Sequence, residues 1–281
     1  MDDEFTFRAD DGIAIHTYRW LPKGEVRGAL QISHGMGEHA LRYREPMQPL
    51  IDAGIAIYAN DHRGHGKTSP ASLGDFGSGG FKAVVDDMAV LSRRIRQDNP
   101  GKKLVLMGHS MGSFAAQIYV LEHSDLIDGF ILSGSAALDK LQAPSGGLAA
   151  IGAGMNKPRT PFDWLSRDET EVDKYIADPL CGFTVNDTSR ASMFAAAAPA
   201  LDPQNLKSIR KDLPFYIFAG DEDPINANLT RLTPLIDRYR KAGIADIATD
   251  FYKDGRHEML NETNRAEVVA NLKTWIERVI A

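Results

Sequence analysis

Short runs of β-branched and aromatic residues alternate with longer stretches of helical period along most of this chain. That alternation is the signature of a mostly parallel sheet with helices on both faces. The runs at 4–8, 13–20, 29–34, 55–60, 104–107, 129–133, 215–219 and 248–252 predict eight strands. The first two flank Asp10-Asp11-Gly12, a hairpin signal, so the sheet is expected to begin with an antiparallel pair. Between strands, Val84, Met88, Leu91 and Ile95 recur at helical spacing and make one apolar face. Val268, Leu272, Trp275, Ile276 and Val279 do the same near the C-terminus. From 137 to 212 the alternation stops, and helical pieces at 169–177 and 188–197 stand among Gly, Pro and Ala. We read 137–212 as a helical cap inserted into a core formed by 1–136 and 213–281. The insertion also accounts for a length of 281 residues, well above the roughly 150 of an ordinary domain.

Charge and composition remove several classes of partner. The formal net charge is -6, and basic residues cluster no further than pairs such as Arg93-Arg94 and Lys102-Lys103. Nucleic acid and anionic membrane surfaces both need concentrated positive charge, so neither is an expected partner. The most apolar stretches, 146–155 and 191–200, are shorter than the roughly 18 residues a spanning helix needs. Cys181 is the single cysteine and cannot form an internal disulfide, and Asp2-Asp3-Glu4 is acidic where a secretion signal would be basic. A reducing cytoplasm is the expected compartment. Nothing in the residues demands a dimer.

The chemistry is carried by Gly108-His109-Ser110-Met111-Gly112, which follows the apolar run 104–107 and precedes a helical stretch. This is G-x-S-x-G in the strand, turn and helix context of a nucleophile elbow. The serine sits on a sharp, strained turn, and side chains two positions to either side would collide with strand and helix, hence the glycines. The turn also sets Ser110 at a helix N-terminus, where free N–H groups favour a developing oxyanion.

A serine hydroxyl is a poor nucleophile at neutral pH, so it needs a histidine base, itself oriented by a carboxylate. With this elbow the acid and base follow the serine in loops after strands. His257 is the only histidine beyond the acidic loop Gly220-Asp221-Glu222-Asp223-Pro224, which offers three carboxylates. The second oxyanion donor must come from the turn after an early strand. Gly35-Met36-Gly37 ends such a strand with glycines suited to close backbone approach. We assign the donors as the N–H groups of Met36 and Met111. His34, His39, His62 and His65 lie in glycine-rich loops, but their spacing matches no zinc signature. They are expected to brace loop backbones, with no metal and no cofactor. Asp61-His62-Arg63-Gly64-His65-Gly66 lacks the Gly-Lys-Ser/Thr of a phosphate loop.

Taken together these residues resemble the monoacylglycerol lipase and lysophospholipase-like branch of the α/β-hydrolases. His34-Gly35-Met36-Gly37-Glu38-His39 followed by Arg42-Tyr43 is similar to that branch's H-G-x-G-E-H turn and R-Y pair. Asp61-His62-Arg63-Gly64-His65-Gly66 looks like its D-H-x-G-H-G segment, and the elbow matches residue for residue. Within the insertion, Leu165-Ser166-Arg167, Thr170-Glu171-Val172-Asp173, Tyr175 and Asp178-Pro179-Leu180 resemble the branch's cap. Leu260 stands where the animal enzymes have a further histidine, and the run 144–150 is less bulky than a membrane-docking lid.

The resemblance implies an α/β-hydrolase fold with a cap, and a serine hydrolase that cleaves lipid esters of the monoacylglycerol or lysophospholipid type through an acyl-enzyme on Ser110. It implies Asp223 as the acid, because the pattern places it three residues after the glycine and before proline, with Asp221 as the alternative. By position, Glu38, Arg42 and Tyr175 are implied near the alcohol group of the substrate. The implied partner is a small-molecule or lipid ester, met at a lipid surface, if at all, through the cap. The alternatives are a general carboxylesterase or lactonase on the same residues, and a non-catalytic ligand-binding protein on the same scaffold.

Overall fold

The computed structural model describes residues 2–141 and 147–281. Of the small-residue run at 144–150, positions 144–146 therefore lie outside the described residues, as does position 146 of the apolar stretch 146–155. The chain runs β1 (Asp2–Arg8), β2 (Ala14–Trp20), β3 (Gly28–Ser33), α1 (Gln48–Asp52), β4 (Ile55–Asn60), α2 (Gly80–Asp98), β5 (Lys103–His109), α3 (Met111–His123) and β6 (Gly129–Ser133). It continues through α4 (Glu169–Ala177), α5 (Asp187–Leu201), β7 (Phe215–Gly220), α6 (Thr233–Lys241), β8 (Ile247–Tyr252) and α7 (Arg265–Ile280).

All eight strands join one sheet in the order β1-β2-β4-β3-β5-β6-β7-β8. β1 pairs with β2 and β2 with β4 antiparallel, and every other pairing is parallel. The expected opening hairpin is present, with Arg8 opposite Ala14 and Gly12 at φ 86 in the turn.

The central strands β3 to β7 are buried on both faces, as parallel strands covered by crossover helices must be, while the outer strands β1 and β8 are partly exposed. Along β5, Leu104 and Leu106 join the apolar cluster under α2, α3 and α6, while Val105 and Met107 join the opposite cluster under α1 and α7. The helical faces expected from spacing are the ones that pack. Val84, Met88, Leu91 and Ile95 are buried in the first cluster, and Val268, Leu272, Trp275 and Ile276 in the second.

Between β6 and β7 the described residues add no strand to the sheet. α4 starts where Asp168 accepts a hydrogen bond from the Thr170 N–H at 3.0 Å, with Glu169 and Glu171 in its first turn to complement the helix dipole. It buries Val172 and Tyr175, spaced i, i+3 on one face. α5 is capped by Asn186, which accepts from the Ser189 N–H at 2.8 Å. It is tied to the loop before α2 and to that helix's start, because Ser189 Oγ accepts from the Phe76 N–H at 2.9 Å and Ser192 Oγ from the Phe81 N–H at 3.0 Å. No described helix is long and apolar enough to cross a membrane.

Candidate active site

Ser110 lies between the end of β5 and the start of α3, with φ 51 and ψ -122. A non-glycine residue at positive φ costs of order 1–3 kcal/mol and persists only where its surroundings enforce it. Here they do: the Ser110 N–H donates to Ser133 O in the neighbouring strand β6 at 3.0 Å, and Ser113 Oγ donates back to Ser110 O at 2.6 Å. The flanking glycines are required by contact. A Cβ on Gly112 would lie 2.0 Å from Ser33 O in β3, and one on Gly108 would lie 2.5 Å from Gly112 O and 2.9 Å from Ala116 Cβ in α3. One glycine lets the elbow sit against the strand, and the other lets it sit against the helix.

The turn after β3 approaches from the adjacent strand. A Cβ on Gly35 would lie 3.1 Å from Ser110 Cβ. The Gly35 N–H donates to Glu38 Oε1 at 2.6 Å, and the Gly37 N–H donates to His65 Nε2 at 3.2 Å. Between them, the Met36 N–H has no partner among the described residues, and neither has the Met111 N–H at the first position of α3. Two free donors therefore flank Ser110 while their neighbours are committed.

The loop histidines hold this turn. His34 is hydrogen-bonded through Nδ1 to Gly35 O at 2.8 Å and accepts from the His62 N–H on Nε2 at 3.0 Å. His65 is hydrogen-bonded through Nδ1 to Arg63 O at 2.9 Å. Burial holds His34 and His65 in the neutral form, with pKa values pushed down to about 4 and about 3. A neutral imidazole with one donor and one acceptor nitrogen is what these pairings require.

His257 follows β8 and is buried, and its Nδ1 is hydrogen-bonded to Asp223 Oδ2 at 2.9 Å in the loop after β7. Asp223 is also oriented by the Ile225 N–H at 2.8 Å. Asp221 instead accepts from the Asp254 N–H at 2.7 Å, and Glu222 is exposed. Of the three carboxylates in this loop, Asp223 is the one in contact with His257. Burial disfavours imidazolium at His257, but the Asp223 carboxylate outweighs it and raises the pKa above its ordinary value. Gly134, at φ 55 after β6, makes room for two rings: a Cβ there would lie 2.9 Å from His257 and 3.0 Å from His109.

Ser110, His257, Met36 and Met111 line one cavity of about 100 Å³. Its apolar lining includes Phe114, Leu148, Ile151, Met193 and Ile225, and Glu38, Tyr175 and Glu258 line it as well. The Tyr175 hydroxyl has no partner among the described residues, although the side chain is buried and a Cβ on Gly37 would lie 3.2 Å from it. Arg42 does not line this cavity. Its guanidinium lies behind the wall, donating to Glu38 and Glu258, and packs over the Tyr175 ring at 4.8 Å. Glu258 was not among the sequence candidates; its one signal is a carboxylate directly after His257.

The loop bearing His257 is sewn to residues 163–168. The His257 N–H donates to Trp164 O at 3.4 Å and the Glu258 N–H to Leu165 O at 2.7 Å. Arg256 Nη1 donates to Asp163 O at 2.6 Å and Ser166 O at 2.9 Å. Glu262, fully buried, accepts from the N–H groups of both Arg256 and Arg167 at 3.0 Å, and from Arg167 Nε at 2.9 Å.

Two sets of described side chains bring three metal-ligating atoms within 4.8 Å of one another, His39 with Asp178 and Cys181, and Asp86 with Glu122 and His123. Neither set lines the Ser110 cavity. In the first, His39 Nε2 is already hydrogen-bonded to Asp178 Oδ2 at 2.8 Å.

Residues 24–264 match the serine aminopeptidase S33 family. A monoacylglycerol lipase of Mycolicibacterium smegmatis is 27% identical over 97% of this chain and 96% of its own length. A monoglyceride lipase of Rattus norvegicus is 30% identical over 96% and 89%. The crystal structure of a highly thermostable carboxyl esterase from Bacillus coagulans superposes with a TM-score of 0.89 at 25% identity, covering 100% of this chain and 99% of that one. The matched family spans most of the chain, the two lipases align with nearly all of it, and the esterase shares its architecture from end to end. The chain therefore belongs to the serine aminopeptidase S33 family of α/β-hydrolases and is a serine ester hydrolase.

Proposed function

We propose that Ser110 is the nucleophile, His257 the base and Asp223 the acid of a lipase acting on monoacylglycerol or lysophospholipid-type esters, with residues 137–212 as its cap and the cytoplasm as its compartment. The observation that carries the reading is the serine at positive φ on one cavity with a histidine hydrogen-bonded to a buried aspartate. In this mechanism His257 Nε2 takes the Ser110 proton as Oγ attacks the ester carbonyl. The Met36 and Met111 N–H groups receive the oxyanion, and His257 returns the proton to the departing alcohol. Water, deprotonated by the same nitrogen, then attacks the acyl-enzyme and frees the acid and Ser110. The apolar lining of the cavity suits an acyl chain; Glu38 and Tyr175, with Arg42 bound to Glu38, suit the hydroxyls of a small alcohol. The relatives support this substrate class: two are lipases of monoacylglycerol by name, and the carboxyl esterase was solved in complex with glycerol.

The test is a series of p-nitrophenyl esters, monoacylglycerols, lysophospholipids and acyl lactones. The expected result is the highest kcat/KM on a monoacyl lipid ester. A maximum on short p-nitrophenyl esters or lactones would make the protein a general carboxylesterase or lactonase, a reading favoured by the carboxyl esterase superposition.

The pH profile follows from the charge around His257. The base must be neutral to accept a proton, and Asp223 holds its pKa above the ordinary 6.5. His109, whose ring centre lies 4.8 Å from that of His257, is pushed down to about 4 by burial and stays neutral. We expect kcat/KM to rise with pH through one ionisation whose midpoint lies above 6.5, then level off. A midpoint below 6.5 would contradict the Asp223 assignment.

A further inference from the structure

Glu38 and Glu258 are both buried and both line the cavity that holds Ser110. They share one counter-ion. Arg42 Nη1 donates to Glu38 Oε2 at 2.7 Å and to Glu258 Oε1 at 2.6 Å, and Nη2 donates to Glu258 Oε2 at 2.7 Å. Arg42 is absent from the lining of that cavity and borders three others, the smallest of which it shares with Glu38 and Glu258. The two acids thus border the Ser110 cavity while their cation does not, and two acids against one guanidinium leave one negative charge unbalanced.

Both acids are ionised at neutral pH. Burial opposes ionisation, but Arg42 outweighs it, holding Glu38 down to about 2 and lowering Glu258 as well. The other charged groups at the cavity do not cancel the excess. His109 is neutral, His257 has Asp223 as its own partner, and Arg190 is partly exposed with Asp187 at 2.5 Å.

We propose that Glu258, acting with Glu38, sets the alcohol specificity of this hydrolase: the wall accepts uncharged polyol or cationic alcohol groups and rejects alcohols that carry phosphate. The inference rests on the function proposed above and narrows it, choosing glycerol-type esters over those with an anionic headgroup. At an effective dielectric near 20, one unbalanced charge about 6 Å from a singly charged phosphate disfavours it by about 100-fold.

The experiment compares octanoylglycerol, octanoylcholine and octanoylglycerol 3-phosphate, which share one acyl chain, in the wild type and in Glu258→Gln. In the wild type, kcat/KM for the phosphate ester is expected about 100-fold below that for the glycerol ester, with the choline ester at or above the glycerol ester. Glu258→Gln removes the excess charge at constant size and should narrow the glycerol-to-phosphate ratio by about tenfold or more. The wild-type ratio is read whether or not the variant folds. Equal rates on the glycerol and phosphate esters, or a folded variant with an unchanged ratio, would overturn this inference alone. Cleavage of p-nitrophenyl octanoate with no turnover of octanoylglycerol would overturn the proposed function, and this inference with it.

Discussion

Ser110→Ala is expected to lower kcat on octanoylglycerol by about 10⁴-fold or more, since a reaction that passes through an acyl-enzyme loses its covalent route with the nucleophile. The fold should survive. The elbow is held by the backbone N–H and C=O of residue 110, through Ser133 O, Ser113 Oγ and the first turn of α3, and all of these remain in the variant. The measurement pairs steady-state kinetics with a thermal melt and labelling by a fluorophosphonate. Wild type should take one label at Ser110, and the variant none. Activity within tenfold of wild type, or a label on another residue, would remove Ser110 from its role. Saturable ligand binding by a wild type that turns nothing over would point to the binding-protein alternative.

The second large effect comes from a residue with no side chain. Gly220 ends β7 just before the acidic loop, and a Cβ there would lie 2.0 Å from Gly255 O, 2.2 Å from Gly255 C and 2.4 Å from Arg256 O. All three are backbone atoms immediately ahead of His257, so none can give way without moving that side chain. Gly220→Ala should therefore displace the loop by about 1 Å, which is enough to cost about 100-fold in kcat. The same overpacking should remove about 1–3 kcal/mol of stability. At about 2–4 °C per kcal/mol, the melting temperature falls by several degrees. Gly24→Ala is the control, because nothing lies within 4 Å of its Cβ, and neither quantity should move. An unaltered kcat in Gly220→Ala would mean that His257 tolerates a displaced loop.

These expectations show which parts of the molecule could be read from the residues. The strand before Ser110 and the helix after it were legible because an apolar run, two glycines and a second apolar run each have a local physical signature. His257 was legible by elimination, being the only histidine beyond the acidic loop. The choice of Asp223 over Asp221 was not local. It needed the family pattern, and the structure adds that Asp221 is hydrogen-bonded to the Asp254 amide.

Arg42 was expected beside the alcohol group, but it does not line the Ser110 cavity and is instead hydrogen-bonded to two carboxylates that do. Depth behind a wall has no sequence period. Glu258 was illegible for a related reason. It lies in an irregular loop, so no helical or strand spacing says which way it faces. α5 shows the limit of periodicity from the other side. Its alanine-rich run reads as a helix, but with small residues all round it does not announce which face packs on α2 and α3.

The seam between residues 163–168 and the His257 loop bears on how an ester enters. Backbone bonds from His257 and Glu258 to Trp164 and Leu165, together with Glu262 clasping Arg167 and Arg256, make residues 163–168 a strut of the His257 loop. The two behave as one mechanical body. Leu148 and Ile151 pack on Trp164 and Leu165 and so go with that body, which leaves the α5 wall, around Met193 and Phe194, as the one free to part for a long acyl chain. A lid that swung as a single piece would open the cavity and pull the base from Asp223 in the same motion.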